Sequence, residues 1–121
     1  MSAILVVDDD VQILDVMSEM LRLEGHEVST AENGEIAVTK LKSLSCDLVI
    51  TDIIMPQKEG LETIADIRRD YGGLPIIAMS GGGRGDGADY LETARYIGAD
   101  AVLSKPFARK ELISAVSSLL P

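Results

Sequence analysis

Side chains suited to phosphoryl chemistry follow several short apolar stretches of this 121-residue sequence. Asp8, Asp9 and Asp10 come after the first stretch, and Asp52 comes after a later one. Crowded carboxylates repel one another and raise each other's pKa unless a cation lies between them. Mg²⁺ takes oxygen ligands and is commonly held by one or two carboxylates together with phosphate oxygens. The pattern therefore predicts a Mg²⁺ site, with Asp10 assigned instead to the N-cap of a helix.

A hydroxyl and an ammonium complete this set, because Ser80 and Lys105 also follow apolar stretches. A transferring phosphoryl group spreads its charge over three oxygens, which need a metal, a cation and hydrogen-bond donors. A carboxylate that attacks phosphorus forms an acyl phosphate, an established kind of covalent intermediate. We therefore predict that Asp52 is the nucleophile and that Lys105 and Ser80 bind the phosphoryl oxygens.

Five apolar stretches of strand length alternate with helical patterns along the chain. The stretches cover residues 3–7, 27–31, 47–51, 75–79 and 101–103. This alternation predicts an α/β fold of the (βα)5 type, a doubly wound, five-stranded parallel sheet with helices on both faces. Such sheets bind ligands outside the carboxyl ends of their strands. We therefore expect the acidic residues, Ser80 and Lys105 to meet at one edge of the sheet.

The first helical pattern has an apolar face that we assign to the core. Val11 and Leu14 lie off that face, near the expected carboxyl ends of the strands, where apolar side chains could contact another protein. Gly25 is expected to end the helix in a left-handed conformation. The residues assigned to the core face are Ile13, Val16, Met17, Met20 and Leu21.

The composition indicates one globular domain over residues 1–121, with 46% hydrophobic and 26% charged residues. Eleven Lys and Arg against twenty Asp and Glu give a net charge of −9, which disfavours direct binding to nucleic acid or to an anionic membrane. The single cysteine, Cys46, cannot form an internal disulfide, and the start of the chain lacks a signal-peptide pattern. No apolar run approaches the roughly 20 residues of a membrane-spanning helix. We therefore expect a cytoplasmic protein.

Four motifs together resemble the receiver domain of bacterial two-component response regulators. They are ILVVDDD at 4–10, DIIMPQKEG at 52–60, Ser80, and Lys105 followed by Pro106 and Phe107. The resemblance covers essentially the whole chain, and it implies a flavodoxin-like fold with strand order 2-1-3-4-5. Gly60, which ends the second motif, is expected to adopt a positive φ before the third helix.

The resemblance implies a phosphorylation site with Mg²⁺ as its cofactor. Asp52 corresponds to the residue that accepts a phosphoryl group from a phosphohistidine on a sensor histidine kinase or a histidine phosphotransfer protein. Asp9, Asp52 and the backbone carbonyl of Ile54 correspond to metal ligands, and Asp8 corresponds to an acidic partner that acts mainly through water. By this resemblance the chain is a signalling switch and not a metabolic enzyme, although it catalyses its own phosphorylation and dephosphorylation.

The resemblance also implies a switch around Ser80 and Lys105. Lys105 pairs with the phosphoryl oxygens, and Ser80 moves to bond the phosphoryl group. Val102 stands where members of the family usually carry Tyr or Phe, so we expect weak transmission through that position. The loop after Ser80 is rich in glycine, and we expect it to be mobile and to take over the signalling movement. These glycines are Gly81, Gly82, Gly83, Gly85 and Gly87.

The resemblance assigns partner docking to the first helix and to the loop after the last strand. Val11 and Leu14, together with Pro106 and Phe107, are the candidate contacts with a kinase or phosphotransfer protein. The output is expected to be a downstream protein target or an output domain missing from this sequence. The chain itself is expected to be a monomer or a weak homodimer.

Two other functions are compatible with the same residues. A Mg²⁺-dependent phosphatase of the haloacid dehalogenase type would use Asp8 as its nucleophile, with Asp10 two residues on, and would release phosphate from a small phosphoester. An interaction module that works without phosphorylation would retain the site but, with Val102 in place of an aromatic residue, would not couple it to an output. Covalent labelling at Asp52 or at Asp8 separates the receiver from the phosphatase.

Overall fold

The computed structural model describes residues 2–53, 60–81, 92, 94–95 and 97–120. The strands are β1 (Ala3–Val7), β2 (Glu27–Ala31), β3 (Leu48–Asp52), β4 (Ile76–Gly81) and β5 (Ala101–Lys105). The helices are α1 (Val11–Leu23), α2 (Gly34–Leu41), α3 (Gly60–Asp70) and, at the end of the chain, α4 (Arg109–Leu119). Residues 92, 94, 95 and 97, between β4 and β5, are also helical, where the sequence predicts a further helix.

The five strands form one parallel sheet with the order β2-β1-β3-β4-β5. This confirms the predicted fold. Alternate side chains of the strands point to opposite faces, so each face carries its own apolar cluster. On one face Leu5 and Val49 pack with Ile64 of α3. On the other face Ile4 and Ile50 pack with residues of α1 and α4. Burial on both faces explains why residues 4–7 of β1 and 48–50 of β3 are all Val, Ile or Leu.

The predicted core face of α1 is confirmed except at Val16: Met17 and Leu21 are buried, and Ile13 and Met20 are partly buried against the same cluster. Its buried residues are Leu14, Met17, Ser18 and Leu21. Val16, which the sequence assigns to the core, is 51% exposed. Apolar residues occupy more than half of the circumference of this helix, so periodicity alone permits two neighbouring stripes. The expectation that Leu14 is an exposed docking residue is wrong, because its side chain is only 4% exposed and packs in the core.

Both ends of α1 carry the predicted caps. The carboxylate of Asp10 accepts a hydrogen bond from the backbone N–H of Gln12 at 2.9 Å, which makes Asp10 the N-cap. Gly25 has a φ of 92°, a left-handed conformation that glycine adopts without steric cost. These contacts fix where the helix begins and ends relative to the end of β1.

Arg68 of α3 fastens the amino ends of β4 and β5 together. Its Nη1 donates to the carbonyl of Leu74 at 3.0 Å. Its Nη2 donates to the carbonyl of Gly98 at 2.6 Å and to Oδ2 of Asp100 at 2.8 Å. The same carboxylate oxygen accepts from the backbone N–H of Ile76 at 2.9 Å. Charge-assisted bonds of this kind hold the two strands in a fixed relation from the end opposite to the acidic residues.

Among the described residues, none of the helices combines the length and the apolar character that crossing a bilayer requires.

Ser18 is expected to reduce the stability of the fold, because its hydroxyl is buried in α1 and has no hydrogen-bond partner among the described residues. We predict that Ser18→Ala raises the free energy of unfolding by about 0.5–1 kcal/mol, since it removes an unsatisfied polar group and introduces the best helix former. Urea denaturation measures the change. Ser118→Ala is the control, because Ser118 is exposed on α4 and its hydroxyl donates to the carbonyl of Ala115 at 2.8 Å. A loss of stability on Ser18→Ala would contradict the prediction.

Candidate functional site

The polar residues at the carboxyl edge of the sheet lie within the strands or directly beyond them. Strand β3 ends on Asp52 and β5 ends on Lys105, one and two residues later than the sequence predicts. Strand β4 continues through Ser80 and ends one residue later, at Gly81. The register pairs Gly81 with Lys105. Since β1 and β3 are neighbours, Asp8 lies beside the end of β3.

Three carboxylates come together at this edge. Asp8, Asp9 and Asp52 each offer one oxygen, and these oxygens lie within 4.8 Å of one another. Asp8 and Asp52 are buried, whereas Asp9 is exposed. Three neighbouring carboxylate oxygens, one of them on an exposed residue, suit Mg²⁺, which binds few protein ligands and keeps its remaining positions for water or phosphate. The donor set of the protein therefore fits this ion.

Lys105 is the cation that faces these carboxylates. Its Nζ donates to Oδ2 of Asp8 at 2.6 Å and to Oδ2 of Asp52 at 3.3 Å. The other carboxylate oxygen of Asp8 accepts from the backbone N–H of Asp10 at 2.9 Å. The sequence indicates Lys105 as a partner of phosphoryl oxygens but does not indicate its close pair with Asp8, because residues 97 positions apart give no local signal.

The pKa values of this pair follow from burial and from the pair itself. Burial raises the pKa of Asp8 above its ordinary value, although the hydrogen bonds from Lys105 and from the Asp10 backbone oppose that shift. Burial lowers the pKa of Lys105, but its bond to Asp8 and the charges of Asp52 and Asp8 outweigh burial, so the net shift is upward. Lys105 therefore stays protonated near neutral pH, and ionisation of Asp8 carries a desolvation cost.

Ser80 carries a buried hydroxyl near the carboxyl end of β4. Its side chain is 1% exposed, and its Oγ has no hydrogen-bond partner among the described residues. A buried hydroxyl without a partner is uncommon and calls for an explanation. Ser80 lies near the end of β4, one residue beyond Met79, which is the register partner of Asp52.

The peptide that follows Asp52 is held by contacts that the sequence does not reveal. The hydroxyl of Thr51 donates to the carbonyl of Asp52 at 3.0 Å, and the N–H of Ile53 donates to the carbonyl of Met79 at 3.0 Å. A Cβ on Gly60 would lie 2.0 Å from the same Asp52 carbonyl oxygen. The expectation of a positive φ at Gly60 is wrong, since only Gly25 and Gly98 have one among the described residues. Glycine is needed at position 60 because α3 begins against the backbone of β3.

An apolar groove of about 490 Å³ adjoins the acidic cluster. Ile13, Val16 and Met20 of α1 line one side of it, and Pro106 and Phe107 line the other. Lys105 and Asp10 also line the groove, which brings it to the rim of the site. Phe107 is half-buried and contributes both to the groove and to the apolar core cluster beneath it.

The remaining residues that the sequence analysis assigns to docking, to the switch or to the metal lie outside the acidic cluster or outside the described residues. Val11 is 51% exposed at the start of α1. Val102 is half-buried and packs against the apolar cluster on the α3 side of the sheet. Gly81 is the last residue of β4. Ile54, Gly82 and Gly83 lie outside the described residues.

Comparison with known sequences gives one family. A model of the response regulator receiver domain matches residues 4–117. The transcriptional regulatory protein CpxR homolog of Haemophilus influenzae is 38% identical over 120 residues, which cover 99% of this chain and 51% of that protein. Response regulator SaeR of Staphylococcus aureus is 29% identical over 120 residues, covering 99% of this chain and 51% of that protein. The chain thus spans about half the length of these curated relatives.

Solved structures give the same family. The receiver domain of NtrX from Brucella abortus superposes with a TM-score of 0.90 at 32% identity, covering 97% of each chain. The response regulator protein TrrA from Thermotoga maritima, in complex with Mg²⁺ and BeF, has a TM-score of 0.88 at 39% identity, covering 99% of this chain and 100% of that one.

Mg²⁺ is expected to stabilise the folded chain, because it offsets the repulsion among Asp8, Asp9 and Asp52. At a tenfold excess over its Kd, a ligand of the native state adds about 1.4 kcal/mol to the free energy of unfolding. Thermal melts with and without Mg²⁺ measure this, and the effect should weaken as the pH falls toward the raised pKa of Asp8, because protons then compete with the ion. Asp9→Asn should remove most of it. Asp15→Asn, an equal charge change at an exposed position of α1, should not; equal losses in both variants would contradict a defined site.

Proposed function

Because this chain belongs to the response regulator receiver domain family, we propose that it accepts a phosphoryl group on Asp52 and thereby switches a protein-interaction surface. The observation that carries the proposal is the convergence of Asp52 with Asp8, Asp9 and Lys105 at one edge of the sheet. We propose further that residues 1–121 form one receiver domain that acts in the cytoplasm.

The proposed reaction is a transfer from phosphohistidine to the Asp52 carboxylate. An oxygen of Asp52 attacks phosphorus, the bond from phosphorus to the imidazole nitrogen breaks, and the imidazole leaves with the electron pair and takes up a proton. Lys105, which stays protonated because its pKa is raised, is close enough to turn from Asp8 to a phosphoryl oxygen. Hydrolysis of the acyl phosphate later restores Asp52.

Asp9, Asp52 and the carbonyl of Ile54 are the proposed ligands of Mg²⁺, with Asp8 acting mainly through water. When bound, the ion supplies positive charge that offsets repulsion between the incoming phosphoryl group and the carboxylates. Burial of Asp8 beneath exposed Asp9 supports these separate roles, since the exposed carboxylate is the one that an entering ion meets first.

The proposed switch begins at Ser80. Its buried hydroxyl gains a hydrogen bond when an acyl phosphate forms on Asp52, so the two states differ in free energy by that contact. Val102 lacks the size and the torsional range of the aromatic residue usual at this place, so we propose that the glycine-rich loop at Gly81, Gly82 and Gly83 carries the movement. In an interaction module that works without phosphorylation, by contrast, the surface would be the same with and without beryllofluoride.

The geometry favours Asp52 over Asp8 as the nucleophile. Asp8 is fully buried, and its two oxygens are occupied by Lys105 at 2.6 Å and by the Asp10 backbone N–H at 2.9 Å. Asp10, which a phosphatase of the haloacid dehalogenase type would use in its chemistry, caps α1 instead. Whichever oxygen of Asp8 attacked phosphorus would first have to give up its contact, either with Lys105 or with the backbone N–H of Asp10.

Covalent labelling tests the acceptor. After treatment with acetyl phosphate and Mg²⁺, mass spectrometry should find one phosphoryl group, located at Asp52. Asp52→Asn should abolish it, because an amide nitrogen is not a nucleophile toward phosphorus, whereas Asp15→Asn should leave it unchanged. A phosphoryl group on Asp8, or phosphate released in a burst from a small phosphoester, would favour the phosphatase and contradict the proposal.

The apolar groove is the proposed docking site for the donor, a sensor histidine kinase or a histidine phosphotransfer protein. It opens beside Lys105, so a helix lying in it would bring its histidine to the acidic cluster. Val11 adds an exposed apolar side chain near the start of α1, and Pro106 and Phe107 close the far side. Leu14 is not part of this surface, because its side chain packs in the core.

Output is proposed to pass to a downstream protein or to an output domain, as the names of the transcriptional relatives suggest for those proteins. The net charge of −9 argues that this domain itself binds neither nucleic acid nor a membrane. We propose that it is a monomer or a weak homodimer.

Substitution in the groove tests donor docking. Val16→Asp should slow phosphotransfer from a phosphohistidine-bearing donor by about tenfold or more, the size expected for a central interface contact. It should not change the rate with acetyl phosphate, which needs no docking. Leu23→Asp is the matched control, because Leu23 is 68% exposed on α1 but does not line the groove. Equal slowing with both donors would count against the groove.

A further inference from the structure

Strand β2 forms one edge of the sheet, and its backbone groups alternate between β1 and the outside. The N–H of Glu27 donates to the carbonyl of Ser2 at 2.8 Å, and the carbonyl of Ala31 accepts from the N–H of Asp8 at 3.1 Å. In a parallel pair, every second residue bonds to the partner strand. The backbone groups of Val28 and Thr30 therefore face outward.

Cationic side chains occupy both outward-facing carbonyls of this strand. Nη2 of Arg22 donates to the carbonyl of Val28 at 3.2 Å. Nζ of Lys40 donates to the carbonyl of Thr30. Arg22 belongs to α1 and Lys40 to α2, which pack on opposite faces of the sheet. The two side chains thus reach around the same edge from both sides.

An unoccupied row of carbonyls at a sheet edge is a template for another strand, and natural proteins often block such edges with charged side chains, especially lysine. We propose that Arg22 and Lys40 close the outer edge of β2 against strand addition by a second copy of this chain. The two contacts occupy both outward-facing carbonyls between Glu27 and Ala31. Neither carbonyl is then available to accept a hydrogen bond from an added strand.

A second copy suits this edge because antiparallel pairing about Ser29 is self-complementary. A two-fold axis there sets Val28 of one copy opposite Thr30 of the other, and each such pair can exchange both of its N–H···O bonds. The same axis sets Glu27 opposite Ala31, so the acidic side chains do not face each other. Val28 and Thr30 are β-branched residues, which favour extended pairing.

Removal of both cations tests the proposal. Arg22→Ala with Lys40→Ala frees both carbonyls while placing the best helix former in each helix. Sedimentation equilibrium should show self-association about tenfold or more tighter than that of the wild-type chain. The change makes a chain of net charge −9 still more negative, so simple charge repulsion predicts the opposite result. The control is Lys42→Ala with Lys110→Ala, two exposed lysines with the same loss of charge.

A proline separates strand addition from other association. Thr30→Pro, added to the double variant, removes an N–H that faces outward and leaves the bonds to β1 intact, so it should return self-association to the wild-type level. The proposal is overturned if the double variant associates no more than its control, or if the proline leaves its association unchanged. Circular dichroism melts check that the variants fold. If the double variant does not melt cooperatively, Lys40→Ala alone is used and must show a smaller increase in self-association. Self-association of Lys40→Ala at the wild-type level would then overturn the proposal.

Discussion

The structure depends on the neutralisation of carboxylates that a parallel sheet gathers at one edge. Asp8, Asp9 and Asp52 offer oxygens within 4.8 Å of one another, and Lys105 is the cation that bonds to Asp8 and Asp52 among the described residues. Lys105 ends β5, two strands from β3, so its side chain must pass over the end of β4 to reach Asp52. Ser80 lies one residue before the end of that strand, and its buried hydroxyl has no hydrogen-bond partner among the described residues.

Lys105 divides its contacts at this edge between Asp8 and Asp52. Lys105 lies closer to Asp8 than to Asp52, and burial makes the charge on Asp8 costly. A buried pair gains stability only when further hydrogen bonds satisfy its remaining atoms, and Asp8 has such a bond from the backbone of Asp10. Asp10 in turn caps α1. The start of α1, which lines the apolar groove, is therefore linked to the charge on Asp8 through hydrogen bonds within residues 8–12.

Much of this arrangement follows from local sequence, and the part that does not depends on distant contacts. The bounds of β1 and β2 and the helix cap at Asp10 agree with the sequence, because apolar runs and capping residues are local signals. The strand order agrees with what the family resemblance implies. The buried face of α1 agrees only in part: Leu14 replaces Val16 in the core, since both are apolar and only packing against the sheet selects between them. Position 60 requires glycine, but not because of the positive φ that the sequence analysis expects. The backbone at the end of β3 lies so close that it excludes a side chain there.

Basic residues are scarce in this chain, and several of them have defined structural positions. With eleven Lys and Arg against twenty Asp and Glu, a randomly placed cation would most often meet a surface carboxylate, where an ion pair contributes little. Instead, Arg68 binds carbonyls and Asp100 at the amino ends of β4 and β5, and Lys105 binds buried carboxylates at the opposite edge. Arg22 and Lys40 bind carbonyls of β2. Because a backbone carbonyl does not titrate, the contacts of Arg22, Lys40 and Arg68 with carbonyls in β2 and just before β4 and β5 do not depend on the charge at the carboxyl edge of the sheet.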